Sequence, residues 1–183
     1  MKTLFSFLIA SIASVVVADS PAPGHAVEFS KYSPALTLVS YDKETDTFRF
    51  QGTIRLVGTL FVEFDMDAPD KANGEINFIR FVPDAVSAGQ LPEVIDGFYP
   101  GPVRYVDLDV PMEQIETLFG RERFTRLSHG TRPFLSRHVT VTLHSYSATI
   151  ECDSRTYVAQ EVHIESVAKS EQLASGIAPP DGC

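Results

Sequence analysis

The chain has 183 residues, 44% of them hydrophobic and 21% charged, and its 24 Asp and Glu outnumber its 15 Lys and Arg for a net charge of −9. That length suits a single domain, and the apolar content excludes an intrinsically disordered chain. The acidic balance argues against a nucleic-acid binder, which needs a basic surface to neutralise phosphates.

Residues 1–18 read as a secretory signal. Lys2 supplies a short positive start, Leu4 to Val17 is an unbroken run of apolar and small residues, and Val16 and Ala18 fit the small-residue rule for a cut after Ala18. A helical run of that length reaches about 21 Å, short of a hydrocarbon core of about 30 Å, so it does not read as an anchor. No other stretch is long and apolar enough to span, so no transmembrane segment is expected in the mature chain. The expected location is periplasmic or secreted. No Asn-x-Ser/Thr acceptor for N-glycosylation is present. Residues 19–34 contain Pro and Ser with little pattern and read as an N-terminal linker to a single β domain over 35–168.

Strands follow almost throughout. Leu36 to Ser40 is a short one, and Tyr41 to Thr47 is a polar turn. Thr47 to Asp65 is a long β pattern carrying Phe48, Phe50, Ile54, Leu56, Leu60, Val62 and Phe64. Gly52 and Gly58 interrupt it and predict bulges or bends, the devices that curl a sheet. Asn73-Gly74 is a hairpin signal, and Glu75 to Val82 is the returning strand. Pro83 to Pro102 holds four prolines and three glycines and reads as a long loop. Val103 to Val110 alternates, with Val106, Leu108 and Val110 on one face and Tyr105, Asp107 and Asp109 on the other. Pro111 then opens a helix over 112–119, with Met112, Ile115, Leu118 and Phe119 as its apolar stripe and Gly120 as the stop. Val139–Glu151 and Thr156–Val167 form the last hairpin. The predicted fold is mainly β, a small antiparallel Greek-key barrel or a β-sandwich with one short α-helix.

Five features carry candidate chemistry. Cys152 and Cys183 would form a disulfide in an oxidising compartment, tethering the 169–183 tail and contributing about 3–4 kcal/mol through loop closure. In the C-terminal hairpin, a turn at Asp153-Ser154 would set His144 opposite His163 and Tyr146 opposite Glu161. It would also set Thr142 opposite Glu165. Two imidazoles and a carboxylate from Glu161 or Glu165 are then a ligand set for zinc. The bland reading of the same residues is an outward polar face. Nearer the turn the apolar residues change sides to Tyr146, Ala148, Ile150, Tyr157 and Ala159, which implies a bulge or a second covered face. Asp65, Asp67, Asp70, Asn73 and Glu75 place hard oxygen ligands for calcium in one turn, although the spacing is not that of an EF-hand.

Arg121, Arg123, Arg126 and Arg132, with Arg137, concentrate positive charge between Gly120 and His138, where guanidinium forks suit an anionic ligand or an acidic partner. The Pro83–Pro102 loop presents Leu91, Val94, Ile95, Phe98 and Tyr99, either as a contact surface or packed on the core. No nucleophile elbow, His-Glu-x-x-His or phosphate-cradling glycine motif occurs. These features predict an exported, non-catalytic β domain that needs no cofactor and binds a protein partner or ligand at the cell envelope. The alternatives are a small-molecule-binding β-barrel with Phe98 and Tyr99 at its mouth, and a metal-dependent hydrolase using the His/His/carboxylate set.

Overall fold

A computed structural model describes residues 28–29, 35–65, 75–95, 103–121, 134–151 and 154–166. The elements run β1 (Glu28–Phe29), β2 (Leu36–Asp42), β3 (Thr47–Asp65), β4 (Glu75–Pro83), α1 (Ala85–Ala88), β5 (Val94–Ile95), β6 (Val106–Leu108), α2 (Met112–Phe119), β7 (Phe134–Glu151), β8 (Ser154–Gln160) and β9 (His163–Ser166). The protein is mainly β, and α2 occupies 112–119 as the apolar stripe predicts. The signal, the acidic turn tip and the two cysteines lie outside the described residues, as does the 169–183 tail.

β3 organises the sheet. Its even positions Phe48, Phe50, Ile54, Leu56, Leu60 and Val62 are buried, while Arg49, Gln51, Thr53 and Arg55 face out. That period of two is the sequence pattern made physical. Along one edge β3 runs antiparallel to β7; along the other it pairs first with β2 and then with β4. β4 pairs with β6, β6 with β8, and β8 with β7, so the hydrogen bonds close a circuit of five strands. Four joints are antiparallel and one, β6–β8, is parallel, with Asp107 beside Val158 and Leu108 beside Ala159. An odd-membered ring cannot alternate direction all the way round, so one parallel joint is obligatory. The β6–β8 joint is thus the parallel exception in an otherwise antiparallel sheet. β2 and β9 add at the edges of the circuit.

The inside of the circuit is filled. Phe50, Leu56 and Leu60 from β3 meet Phe81 from β4, Val106 from β6, Leu143 and Tyr146 from β7, and Ile115 from α2, each at most 1% exposed. Each large side chain removed from water contributes about 1.5–3 kcal/mol.

The two glycines in β3 mark where its edge changes partner. β2 pairs as far as Gly52 and β4 begins at Gly58. A Cβ on Gly52 would lie 1.7 Å from the Ala35 carbonyl oxygen, and one on Gly58 would lie 2.2 Å from that of Val82. Between them the β3 backbone still needs partners. The turn into α1 supplies them: Asp84 N–H donates to Val57 O at 2.9 Å, and Val57 N–H donates to Ser87 Oγ at 2.8 Å. Asp84 also caps α1 by accepting from Ser87 N–H.

The Pro83–Pro102 segment is therefore not structureless. It begins with α1, and Leu91 and Val94 are buried in the core. β5 pairs with β1, so the expected linker contributes a strand. Tyr146 Oη donates to Pro92 O at 3.0 Å and Arg155 Nη1 donates to Val94 O at 2.7 Å, which straps residues 91–95 to the sheet. Met112, expected in the stripe of α2, is exposed, while Ile115, Leu118 and Phe119 carry the buried face. Gly120, at φ 85°, ends the helix.

Candidate functional site

The outer face of β3, β7 and β8 forms an open concavity of about 840 Å3 beside the β2–β3 turn. Side chains of the three strands line it, placed by the ladder register: Thr47 lies beside Thr149, Arg49 beside Ser147, Ser147 beside Val158, and Ser145 beside Gln160. Glu44, Thr45 and Asp46 close the end at the turn. These residues sit together because outward positions on each strand are polar and recur every second residue.

Hydrogen bonding makes the two ends of this groove chemically different. Thr45 Oγ1 donates to Thr47 Oγ1 at 2.9 Å, and Thr47 Oγ1 donates to Thr45 O at 3.1 Å. Thr149 Oγ1 lies 3.0 Å from Thr47 Oγ1, and either hydroxyl can be the donor. Asp46 adds a carboxylate fixed by Tyr41, whose Oη donates to Asp46 Oδ1 at 2.6 Å. That bond, with burial, pushes the Tyr41 phenol up to about 12, and the Tyr41 ring stacks on buried Phe48 with centroids 4.4 Å apart. Asp46 itself has φ 46°, a left-handed conformation that Asp adopts more readily than most residues. Next to it, the Glu44 N–H bonded to Asp42 Oδ1 at 3.0 Å holds the Asp42 carboxyl below its usual range. Farther along the groove, exposed Arg49 presents its guanidinium and Gln160 its amide.

The predicted metal set is not assembled. Glu151 pairs with Ser154, so the register is displaced by two residues from the expected one. A displacement of two preserves the faces, and His144 and His163 do point outward. It changes the partners: Tyr146 lies beside Ala159, His163 beside Thr142 and Glu165 beside Thr140. His144 Nδ1 instead sits 2.9 Å from Thr53 Oγ1. Glu165 accepts from Arg55 at 3.0 Å and lies 3.8 Å from His163 Nε2. Glu161 is an exposed bend at φ 54° separating β8 from β9. Among the described residues no group of three or more His, Cys, Asp and Glu could hold a metal ion. The expected change of apolar side along β7 is real: Val139, Val141 and Leu143 point inward, then Tyr146 and Ala148, across an irregularity opposite Gln51–Ile54.

A second concavity, of about 540 Å3, lies between α2 and β9, with Glu113, Thr117, Arg137 and His163 on its walls. Gln114 spans its floor as a backbone mimic: Nε2 donates to Val162 O at 3.2 Å and Oε1 accepts from Ile164 N–H at 3.4 Å. Arg137 donates to Leu118 O at the end of α2. Of the predicted arginine cluster, Arg121 is exposed at the end of α2, and Arg123, Arg126 and Arg132 lie outside the described residues, as do Phe98 and Tyr99.

Arg80 is buried between the Phe78 and Tyr105 rings, 4.1 and 3.9 Å from their centroids, and donates to Asp107 at 3.0 Å. The Arg49 groove was not predicted from the sequence. Its trace there is only the matched polar alternation of Thr47, Arg49 and Gln51 with Ser145, Ser147 and Thr149, which gains meaning once the strands are known to be neighbours. Among the described residues no helix is long and apolar enough to cross a membrane. No protein-family model, curated protein or solved structure matches this chain.

Proposed function

We propose that the protein is an exported, non-catalytic binding domain that holds its ligand on the outer face of the sheet, in the groove between β3, β7 and β8. The observation that carries this reading is the contrast between the two sides of the circuit. The inside is packed with apolar side chains, which speaks against a guest held within a barrel. The outside has a concavity within the size range of small-molecule sites, about 300–1,000 Å3, with an exposed arginine and a carboxylate held by Tyr41. The signal-like residues 1–18 support export to the periplasm or the outside of the cell. Among the described residues no group of three or more His, Cys, Asp and Glu could hold a metal ion, so a metal-dependent hydrolase gains no support. The burial of Leu91 and Val94 shifts the contact surface away from the first half of the Pro83–Pro102 loop.

Native mass spectrometry of the protein exported by its own signal, purified gently without chelator, tests this reading. The expected species starts at Asp19, carries a ligand or partner released by collisional activation, and is two hydrogens lighter than the reduced chain because of the Cys152–Cys183 bond. A stoichiometric metal adduct accompanied by hydrolysis of ester or phosphoester substrates would overturn the non-catalytic assignment.

A further inference from the structure

The two edges of the sheet are finished differently. β9 stands at one edge, and there the Gln114 side chain occupies Val162 O and Ile164 N–H, which closes that side to a further strand. β2 stands at the other. Among the described residues it pairs with β3 alone, and Thr37, Val39 and Ser40 are exposed, Val39 at 49%. An antiparallel strand turns the N–H and C=O of every second residue away from its neighbour, so the far side of β2 offers a row of backbone donors and acceptors. Natural edge strands guard such a row with Lys, Pro, a bulge or short length. β2 runs for 7 residues, Leu36–Asp42, with no Lys, Arg or Pro, and its one charge is Asp42 at the end. We propose that the outer edge of β2 takes up an extended segment of another protein as an added antiparallel strand, uncharged opposite Leu36–Tyr41 and basic at its N-terminal end beside Asp42 and Glu44. This surface lies across β3 from the groove and goes beyond the groove reading, on which it does not depend.

Three features select a lone peptide over a second copy of this chain. The first is shape. The register with β3 slips between Leu38 and Ser40, leaving Val39 as an extra residue, and a bulge of this kind bends and twists its strand. A lone peptide can follow that bend, whereas the edge of a second copy is held by its own sheet. The second is charge. The chain carries −9, so a second copy arrives with like charge, and a basic segment with opposite charge. In the turn that follows β2, Asp42, Glu44 and Asp46 outnumber Lys43, and Arg49 sits one strand inward beside Ser40. Antiparallel addition brings the N-terminal end of the peptide to this turn. The attraction there is one of charge, because Asp42 Oδ1 already accepts from Glu44 N–H. The third is the neutrality of Leu36–Tyr41. Main-chain hydrogen bonds then supply the affinity, and every second side chain of the peptide lies on the same face as Val39 or on the other. This stretch spans about 20 Å, enough for a segment of about six residues.

The experiment is an amide-resolved NMR titration of the full mature chain with the synthetic peptide acetyl-Lys-Lys-Thr-Val-Thr-Val-Thr-amide. Two control peptides accompany it, one with a Glu pair in place of the Lys pair and one N-methylated throughout its Thr-Val run. The Lys peptide is expected to shift the Thr37, Val39 and Ser40 amides and to slow their hydrogen exchange, with Ser147 and Gln160 in the groove unmoved. It is expected to bind about tenfold more tightly than the Glu peptide, and the methylated peptide, which has lost its backbone donors, is expected not to bind. Asp42→Asn combined with Glu44→Gln should erase the preference for Lys over Glu while keeping strand addition. Val39→Lys, at an exposed side chain, should weaken the Lys peptide by like charge. Equal binding of the methylated peptide, shifts confined to residues outside β2, or no shifts at about 1 mM, where complexes of about millimolar Kd are visible, would overturn the proposal. Sedimentation velocity supplies the last check: a concentration-dependent dimer abolished by Val39→Lys would give the edge to a second copy and overturn the peptide assignment. The native mass of the exported protein tests the groove separately, so the two readings can fail independently.

Discussion

Tyr41 shows how one side chain can give the turn of β2 and β3 a pH dependence. The hydrogen bond to Asp46 holds its proton up to about 12, against 10.0 for an ordinary phenol. A raised folded value means the contribution is fully present below pH 10 and is lost as pH rises toward 12. Tyr41→Phe keeps the stack on Phe48 but removes the phenol. Its stability to urea should therefore decline less steeply than the parent's above pH 10, and parallel declines would show that the bond contributes nothing. Gly58 makes a different demand. Its missing Cβ leaves room for the Val82 carbonyl, so Gly58→Ala must push β4 away and should cost about 3 kcal/mol or more. Thermal unfolding within about a degree of the parent would contradict that, since this much energy shifts a domain of this size by several degrees.

At the scale of elements, two polar side chains hold segments that have little sheet of their own. Gln114 ties β9 to α2 by occupying one backbone acceptor and one donor. Gln114→Ala should cost about 1–2 kcal/mol and speed hydrogen exchange at Ile164, with β3 amides unchanged. Arg155 anchors residues 92–95 through Val94 O and through Glu93, 3.9 Å away, with side chains 14% and 7% exposed. Arg155→Ala removes the bond to Val94 O and should cost about 1–2 kcal/mol, measured as a lower denaturation midpoint. Both devices lie beyond sequence reading. Gln114 looks like an ordinary polar position on the exposed side of an amphipathic helix, and Arg155 like the polar flank of a hairpin turn. By contrast, α2 was legible, because Ile115, Leu118 and Phe119 fall on one side at the helical period and Gly120 stops the run.

At the scale of the molecule, the five-strand circuit links distant parts of the chain. β3 touches β2, β4 and β7, and β7 in turn touches β8 and β9. Such connectivity predicts one cooperative transition, with far-ultraviolet dichroism and tyrosine fluorescence giving the same midpoint. Two separated midpoints would mean that some strands melt independently of β3 and β7. The sequence by itself determined the strand content, the inward faces of β3 and β6, the helix at 112–119 and the side change along β7, because periodicity and backbone preference are local. Only the tertiary structure decided the parallel β6–β8 joint and the β7–β8 register, which sets Tyr146 beside Ala159 rather than Glu161. It alone decided the packing of Leu91 and Val94 and the meeting of Arg49 with Asp46 and the Thr hydroxyls. Each of these depends on which strands become neighbours and in what register. A one-position change in a turn moves every cross-strand partner by two residues while leaving the apolar pattern intact.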